Sequence, residues 1–337
     1  MLRNFGRWRK LGQLALKSSS STGKYGNSHR LNAHRTHRFN RPIIDHAGRV
    51  LAAFIPTPSD SSYVACMDRA FAKMMAEGDK ANFDAGSLRH KRGDGFAAIN
   101  VGLSYGNGHT KPSQPKLGRH KHLVEALLAD KDMQRLAAYQ DGGLFLSIPH
   151  PRANPGVASY ALWHPKAYRY YKKELDKLWE ACPELIKPLF FKSIMPTVAF
   201  NIGRKVATRK HVDSQNCPFG WCLVTALGNF DYRVGGHIVL WELKLLLEFP
   251  AGSCVCLPSA IITHSNIPTG EGDTRASFTQ YCSGEVFRYI ENGFSTDAML
   301  KAQDPLLYAI NREKRKTRLM KGYEMFSTIE ELLRGSG

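Results

Sequence analysis

The sequence predicts an α+β fold: a jelly-roll core (a double-stranded β-helix) with packed helices outside it and a disordered basic N-terminal arm. Three observations carry this. Beyond about residue 187 the chain breaks into short apolar segments separated by turn signals such as Gly235-Gly236, Pro250-Ala251-Gly252 and Gly270-Glu271-Gly272, the texture of closely spaced strands in a jelly roll. Before them, apolar residues recur at helical spacing, and helices that precede a run of strands pack on the outside of the β-core. The first 44 residues hold ten Lys/Arg and no Asp or Glu. The chain therefore divides into a basic arm or targeting segment (1–42), a helical and loop-rich support region (43–186), a double-stranded β-helix core (187–295) and a basic helical tail (296–337).

The elements follow in order. Val50 to Pro56 is an apolar strand candidate. Val64, Met67, Phe71, Met74 and Met75 keep helical spacing, which predicts an amphipathic helix over 61–77. Residues 86–119 read as loop, with a strand from Phe96 to Leu103 inside them, and residues 120–138 read as helical. Pro165 suits the first turn of a helix, where its missing N–H is no loss. Tyr168, Tyr171, Leu175, Leu178 and Trp179 mark the face of that helix. Met195 to Ile202, Lys210 to Ser214, Trp221 to Ala226, Gly236 to Trp241, Gly252 to Leu257 and Ala276 to Cys282 then read as strands. From Asp297 the chain is helical and basic, with Arg312, Lys314, Arg315, Lys316 and Arg318.

The formal net charge of +18 is unevenly placed: residues 1–44 carry +10, residues 301–337 carry +3, and the 256 residues between them +5. A basic arm on a mildly basic body favours polyanions through counterion release; a solvated tail without a partner is the plainer alternative. The arm is Arg- and Ser-rich and free of acids, which fits a nuclear segment or, alternatively, a mitochondrial transit peptide. The seven cysteines are odd in number, irregularly spaced and lack C-x-x-C. This speaks against a disulfide framework and against structural zinc, and for buried reduced thiols. No apolar run of about 18 residues occurs, so no membrane span is predicted.

The chemistry concentrates in His211-Val212-Asp213, followed by His264 and, eleven residues later, Arg275. Two ligands separated by one residue point the same way on a strand. Two His and one carboxylate on one side of an iron leave the opposite positions open for O2 and a co-substrate. An H-x-D pair alone is commonplace; the later His and Arg make it informative. Arg275 and Ser277 share a strand face, and a guanidinium binds a carboxylate bidentately with a hydroxyl adding a hydrogen bond. A cation buried there needs an anion, which a dicarboxylate bound with the iron supplies. The combination resembles the one that Fe(II)/2-oxoglutarate dioxygenases use, which implies Fe(II), 2-oxoglutarate and O2 as the cofactor set.

The stretch from His211 to Phe230 resembles the TET/JBP dioxygenases, in the branch expanded in mushroom-forming fungi. So do Gly235 to Trp241, Phe249 to Ser253, Leu257 to Ala260, His264 to Pro268 and Ser277 to Tyr281, and upstream Arg92-Gly93-Asp94 and Val101 to Gly106. The resemblance spans about residues 45–295. It implies oxidation of the 5-methyl group of a pyrimidine in DNA, most often 5-methylcytosine, with release of succinate and CO2, and a target base flipped out of the duplex. By match, His211, Asp213 and His264 hold iron and Arg275 holds 2-oxoglutarate, with Ser277 and Asn201 as further co-substrate candidates. The Cys-rich zinc region of animal TET enzymes has no counterpart, which leaves DNA contact to loops and to Arg89, Lys91, Arg92, Arg204, Lys205, Arg209 and Lys210. The alternative is a 2-oxoglutarate-dependent hydroxylase or demethylase acting on protein, RNA or a small molecule.

Overall fold

A computed structural model describes residues 29–31, 40–106, 108–141, 160–185, 189–191 and 193–334. In chain order its strands are β1 (His29–Leu31), β2 (Arg41–Ile44), β3 (Val50–Ile55), β4 (Arg89–His90), β5 (Gly93–Asp94), β6 (Ala97–Gly102), β7 (Thr197–Ile202), β8 (Cys222–Asn229), β9 (Ile238–Leu240), β10 (Leu245–Leu247), β11 (Cys254–Leu257), β12 (His264–Asn266) and β13 (Thr274–Tyr281). The helices are α1 (Ser61–Ala81), α2 (Lys121–Leu128), α3 (Lys131–Asp141), α4 (Tyr160–Trp163), α5 (Pro165–Ala181), α6 (Gly284–Glu291), α7 (Asp297–Gln303), α8 (Pro305–Lys316), α9 (Arg318–Met325) and α10 (Ile329–Arg334).

Two sheets face each other. The larger runs β2-β3-β11-β8-β13-β7-β6 and the smaller β1-β10-β9-β12. Every pairing is antiparallel except β1 with β10. Alternation along the strands sorts the residues. Ala226, Phe230, Ile238, Leu240, Phe249, Val255 and Leu257 fill the space between the sheets. Leu223, Phe278, Val198, Phe200 and Cys254 point outward into a second core shared with the helices. This is the α+β jelly roll that the strand spacing predicts.

The helices form where the local chemistry supports them. The Asp60 carboxylate accepts the Ser62 N–H at 2.9 Å and caps α1, which ends at Asn82 in the left-handed conformation (φ 44°). α1 buries Tyr63, Met67, Ala70, Met74 and Met75; of the stripe its periodicity predicts, Met67, Met74 and Met75 are buried, whereas Val64 is exposed and Phe71 only partly covered, with Tyr63 and Ala70 taking their places on the buried face. α5 starts on Pro165 and buries Tyr168, Tyr171, Leu175 and Leu178, while Trp179 is only partly covered.

Several expectations are corrected. The helical stretch over 120–138 is divided in two, because the Asp130 carboxylate takes the Asp132 and Met133 N–H groups at 3.0 and 2.9 Å and starts α3 afresh. Lys210 to Ser214 is not a strand: His211 makes one isolated bridge, and a turn begins at Asp213. β10 and β12 are strands that were not expected, each of three residues. Within residues 1–42, read as a disordered arm, His29–Leu31 pairs with β10 and Arg41 and Pro42 pair with β3; residues 1–28 and 32–39 lie outside the described residues. β2, β3 and β6 come from before residue 187 yet belong to the same sheet as β13, so the change of texture there is not a structural boundary. No described helix is long and apolar enough to cross a membrane.

α4 and α5 meet at His164, which is fully buried, stacked on Phe326 (4.9 Å, 10°), and donates from Nε2 to the Phe219 carbonyl at 2.7 Å. Burial pushes its imidazole from 6.5 down to about 4. Above pH 6.5 both folded and unfolded chains hold it neutral. Below that the unfolded chain takes up a proton that the core refuses until about pH 4, so stability falls as pH drops through this window, by up to about 3 kcal/mol. Urea unfolding at pH 7 and pH 4.5 is expected to show this loss and His164→Phe to flatten it; an equal slope in the variant would assign the acid sensitivity elsewhere.

Candidate metal centre

One segment, residues 203–217, carries two of the predicted ligands across the mouth of the space between the sheets. It leaves β7 beside the start of β13, where Arg275 N donates to the Arg204 carbonyl at 2.7 Å and Val206 N to the Arg275 carbonyl at 2.8 Å. It rejoins the far end of β13, where Cys217 N donates to the Cys282 carbonyl at 3.0 Å. In between it is pinned to the smaller sheet. His211 and His264 exchange backbone hydrogen bonds of 3.0 and 2.9 Å, and Asp213 N donates to the Ser259 carbonyl at 2.9 Å. The bridge and the turn after it, rather than a strand, bring His211 and Asp213 to the same side.

The side chains converge. One ligand atom from each of His211, Asp213 and His264 lies within 4.8 Å of the other two, the one such group of His, Cys, Asp or Glu among the described residues. His211 Nε2 is 3.9 Å from one Asp213 carboxylate oxygen, and His264 Nε2 is 3.8 Å from the other. Two donors that each sit about 2.1 Å from one ion are themselves about 3–4 Å apart. Each imidazole is oriented by a carbonyl two residues before it: His211 Nδ1 by that of Arg209 (2.7 Å), His264 Nδ1 by that of Ile262 (2.9 Å). A carbonyl only accepts, so both Nδ1 atoms carry the proton and both Nε2 lone pairs face the centre. Burial, and then the neighbouring His264, push the His211 imidazole below its ordinary value, towards the neutral form a metal needs. The Glu242 carboxylate accepts from Thr263 N (2.7 Å) and from the Thr263 hydroxyl (2.5 Å), and so fixes the residue before His264.

Arg275 is completely buried between the sheets. Its Nη1 donates to the Val206 carbonyl at 2.7 Å, and its guanidinium lies 5.9 and 5.7 Å from the Phe230 and Phe249 rings. Its Nε and Nη2 have no partner among the described residues. Burial lowers its pKa to about 10, so it is still a cation at neutral pH. Gly228 stands opposite it in the register, at φ +117°, where an added Cβ would lie 2.3 Å from the Thr274 carbonyl oxygen; only glycine lets β8 pass here. Ser277 is two residues along the same face and opposite Asn201, whose Nδ2 donates to the Ser277 hydroxyl at 2.9 Å, leaving the hydroxyl proton to donate elsewhere. A buried cation with two unused donors, beside a hydroxyl with a proton to give, suits a carboxylate. With two His and one Asp on one side of an ion, the donor set and this subsite fit Fe(II), 2-oxoglutarate and O2.

The seven basic residues singled out in the sequence fall on adjoining segments. Arg89, Lys91 and Arg92 sit on the β4–β5 hairpin, joined to the ligand-bearing segment where Arg209 N donates to the Arg92 carbonyl at 2.7 Å. Arg204 pairs with Asp79 (3.2 Å) and Arg209 with Asp94. Lys205 reaches the Gly270 carbonyl at 3.0 Å, and the Lys210 ammonium lies 4.1 Å from the Trp241 ring centroid. Arg89, Lys91, Arg204, Lys205, Arg209 and Lys210 are exposed and Arg92 half-buried. Two of the seven are thus matched by carboxylates, which sequence reading did not foresee. Nor did it find Gly228, Phe230, Phe249 and Glu242, whose roles depend on register and distant pairing.

No family model and no curated protein sequence matches the chain. Among solved structures, the fold is similar to that of NgTET1 in complex with 5mC DNA, at 11% identity over 77% of this chain and 83% of that one, with a TM-score of 0.42. It is similar to a 2OG-Fe(II) oxygenase family oxidoreductase from Burkholderia pseudomallei, at 15% identity over 61% and 77% of the two chains, TM-score 0.30. It is also similar to a Pseudomonas putida prolyl-4-hydroxylase, at 17% identity over 38% and 68%, TM-score 0.22. Overlaps of this size fix neither activity nor substrate, and the assignment rests on the chain's own residues.

His211→Ala, Asp213→Ala and His264→Ala are each expected to weaken Fe(II) binding under anaerobic conditions by at least about 100-fold, beyond what loss of a supporting contact alone produces, with the circular dichroism spectrum unchanged. Wild-type iron affinity in any of the three would remove that residue from the ligand set.

Proposed function

We propose that the protein is an Fe(II)/2-oxoglutarate-dependent dioxygenase that oxidises the 5-methyl group of a pyrimidine in DNA, with 5-methylcytosine as the preferred base. The observation that carries the reaction class is the pairing of the His211, Asp213 and His264 cluster with Arg275, a buried guanidinium with two unused donors. Fe(II) with 2-oxoglutarate and O2 supplies the chemistry, insertion of one oxygen into a C–H bond with decarboxylation of the co-substrate to succinate.

The chain supplies the rest. Arg275 and the Ser277 hydroxyl bind the far carboxylate and set the direction of the co-substrate. Asn201 holds the Ser277 hydroxyl in place. Phe230 and Phe249 exclude water from the buried charge, which strengthens its hold on an anion. The carbonyls of Arg209 and Ile262 keep both imidazoles in the tautomer that offers Nε2.

The substrate class is argued from the resemblance of the motifs and from charge. Arg89, Lys91, Arg92, Lys205 and Lys210 are not matched by carboxylates among the described residues, and they lie on the hairpin and segment that lead to His211. Such a surface suits a phosphate backbone. His211 and Asp213 are half-buried and His264 is buried, a recess in which a flipped-out nucleotide, rather than a stacked base, would meet the centre.

The test is mass spectrometry of nucleosides after incubating duplex DNA containing 5-methylcytosine with the protein, Fe(II), ascorbate and 2-oxoglutarate. Hydroxymethylcytosine is the expected product. Arg275→Ala is expected to raise the 2-oxoglutarate requirement by at least about 30-fold, as for loss of one partner of a buried charge pair. Succinate formed with a peptide but not with methylated DNA would overturn the substrate; no succinate with any substrate would overturn the reaction.

A further inference from the structure

His264 sits on a slender support. β12 has three residues, the low end of strand length, and it is the outermost strand of the smaller sheet. On one side it pairs with β9, His264 opposite Leu240 and Ser265 opposite Val239. On the other it meets the ligand-bearing segment through the His211 bridge and through Asn266, whose N–H donates to the Thr208 carbonyl at 3.0 Å. The His211 and His264 ring centroids are 4.2 Å apart. A metal tolerates errors of only about 0.2 Å in its donor distances, so a small twist of this strand end would spoil the pair.

Two consecutive residues just past β9, Trp241 and Glu242, hold that strand end from the side away from the metal. Neighbours in an extended chain point to opposite sides, so Thr263 and Ser265 face away from the centre that His264 faces. Glu242 uses both carboxylate oxygens on Thr263, one for its N–H at 2.7 Å and one for its hydroxyl at 2.5 Å. The Trp241 backbone N–H donates to the Thr263 carbonyl at 2.9 Å, and its indole N–H donates to the Ser265 hydroxyl at 3.1 Å. The Lys210 ammonium lies 4.1 Å from the centroid of the same indole. One dipeptide thus contacts the residues on both sides of His264 and the residue before His211. Hydrogen bonds to an ionised acceptor are about twice as strong as neutral ones, which makes Glu242 the strongest of these ties.

We propose that Trp241 and Glu242 are positioning residues of the metal centre. By gripping Thr263, Ser265 and Lys210 they set the separation of the His211 and His264 imidazoles, and with it the affinity and geometry of the bound metal. Both act through the histidines. The inference rests on the reading of His211, Asp213 and His264 as metal ligands.

Titration of the full chain with Mn(II), followed by the paramagnetic resonance signal of the free ion, tests this without turnover, together with the visible absorption bands of the Co(II)-loaded protein. Glu242→Ala removes both acceptors and Glu242→Gln keeps one; Trp241→Phe keeps a ring for Lys210 and removes the indole N–H. Loss of support around a metal ligand weakens binding by about 10–100-fold, and Glu242→Ala is expected to bind Mn(II) about 30-fold more weakly and to shift the Co(II) bands. Glu242→Gln and Trp241→Phe, each missing one bond, are expected to bind about fivefold more weakly. Asp60→Ala, which uncaps α1 and touches none of these residues, is expected to lower the melting temperature and keep wild-type Mn(II) affinity and Co(II) bands. Wild-type affinity and bands in Glu242→Ala overturn the proposal whatever its melting temperature; if that variant does not fold, wild-type affinity and bands in Trp241→Phe overturn it. An equal loss of affinity in Asp60→Ala also overturns it, by marking a general response to instability. Wild-type protein that binds no Mn(II) overturns the ligand reading and this inference with it.

Discussion

The buried guanidinium of Arg275 is the constraint on which the rest of the pocket depends. A cation taken out of water is destabilising by several kcal/mol unless an anion or a full set of acceptors meets it. Here the chain supplies one carbonyl, that of Val206, and two aromatic faces, those of Phe230 and Phe249. No carboxylate is paired with it among the described residues, and its pKa falls to about 10 through burial alone. Gly228 gives up its side chain opposite it. An arrangement that leaves so large a charge incomplete is poor for the folded state taken alone and becomes favourable once a carboxylate enters. Binding and folding are coupled at this residue.

The same economy of parts builds the metal centre. Residues 203–217 are tied to β13 at both ends and to the smaller sheet in the middle. His211 and His264 are a hydrogen-bonded backbone pair, so the distance between the two imidazoles is set by the bridge and not by side-chain rotamers alone. Asp213 is fixed one turn later by Ser259. The helices on the outer face of the larger sheet and the buried ring cluster around His164 and Trp221 back this scaffold. Rigidity of the sheets is thus turned into alignment of four polar side chains drawn from three stretches of chain.

Much of this was legible in the sequence because it rests on local periodicity. Alternation placed Arg275 and Ser277 on one face, helical spacing found α1 and α5, and the His211, Asp213 and His264 set carried its own chemistry. What was not legible depends on partners far away in the chain. The register that sets Asn201 against Ser277 and Gly228 against Arg275 joins residues on different strands. The break between α2 and α3 turns on one capping carboxylate, Asp130, in a stretch whose apolar spacing runs on through it. His211 and Asp213 meet through a bridge and a turn, although strand geometry predicted the same outcome by another route. β1 is three residues long, and nothing in its composition announces a strand. Charge counting identified the basic residues near the site but could not see that Asp79 and Asp94 occupy Arg204 and Arg209.

The central claim, that Arg275 is held incomplete for a dicarboxylate, is tested most directly by thermal unfolding of metal-loaded wild type and Arg275→Met with and without 2-oxoglutarate. Replacing a buried unpaired charge by an apolar side chain of similar volume is neutral or stabilising. The account predicts a wild-type melting temperature that rises with 2-oxoglutarate, and a variant at least as stable in its absence that does not respond. A wild type indifferent to 2-oxoglutarate, or a variant that melts lower yet is stabilised by the ligand as wild type is, would contradict it.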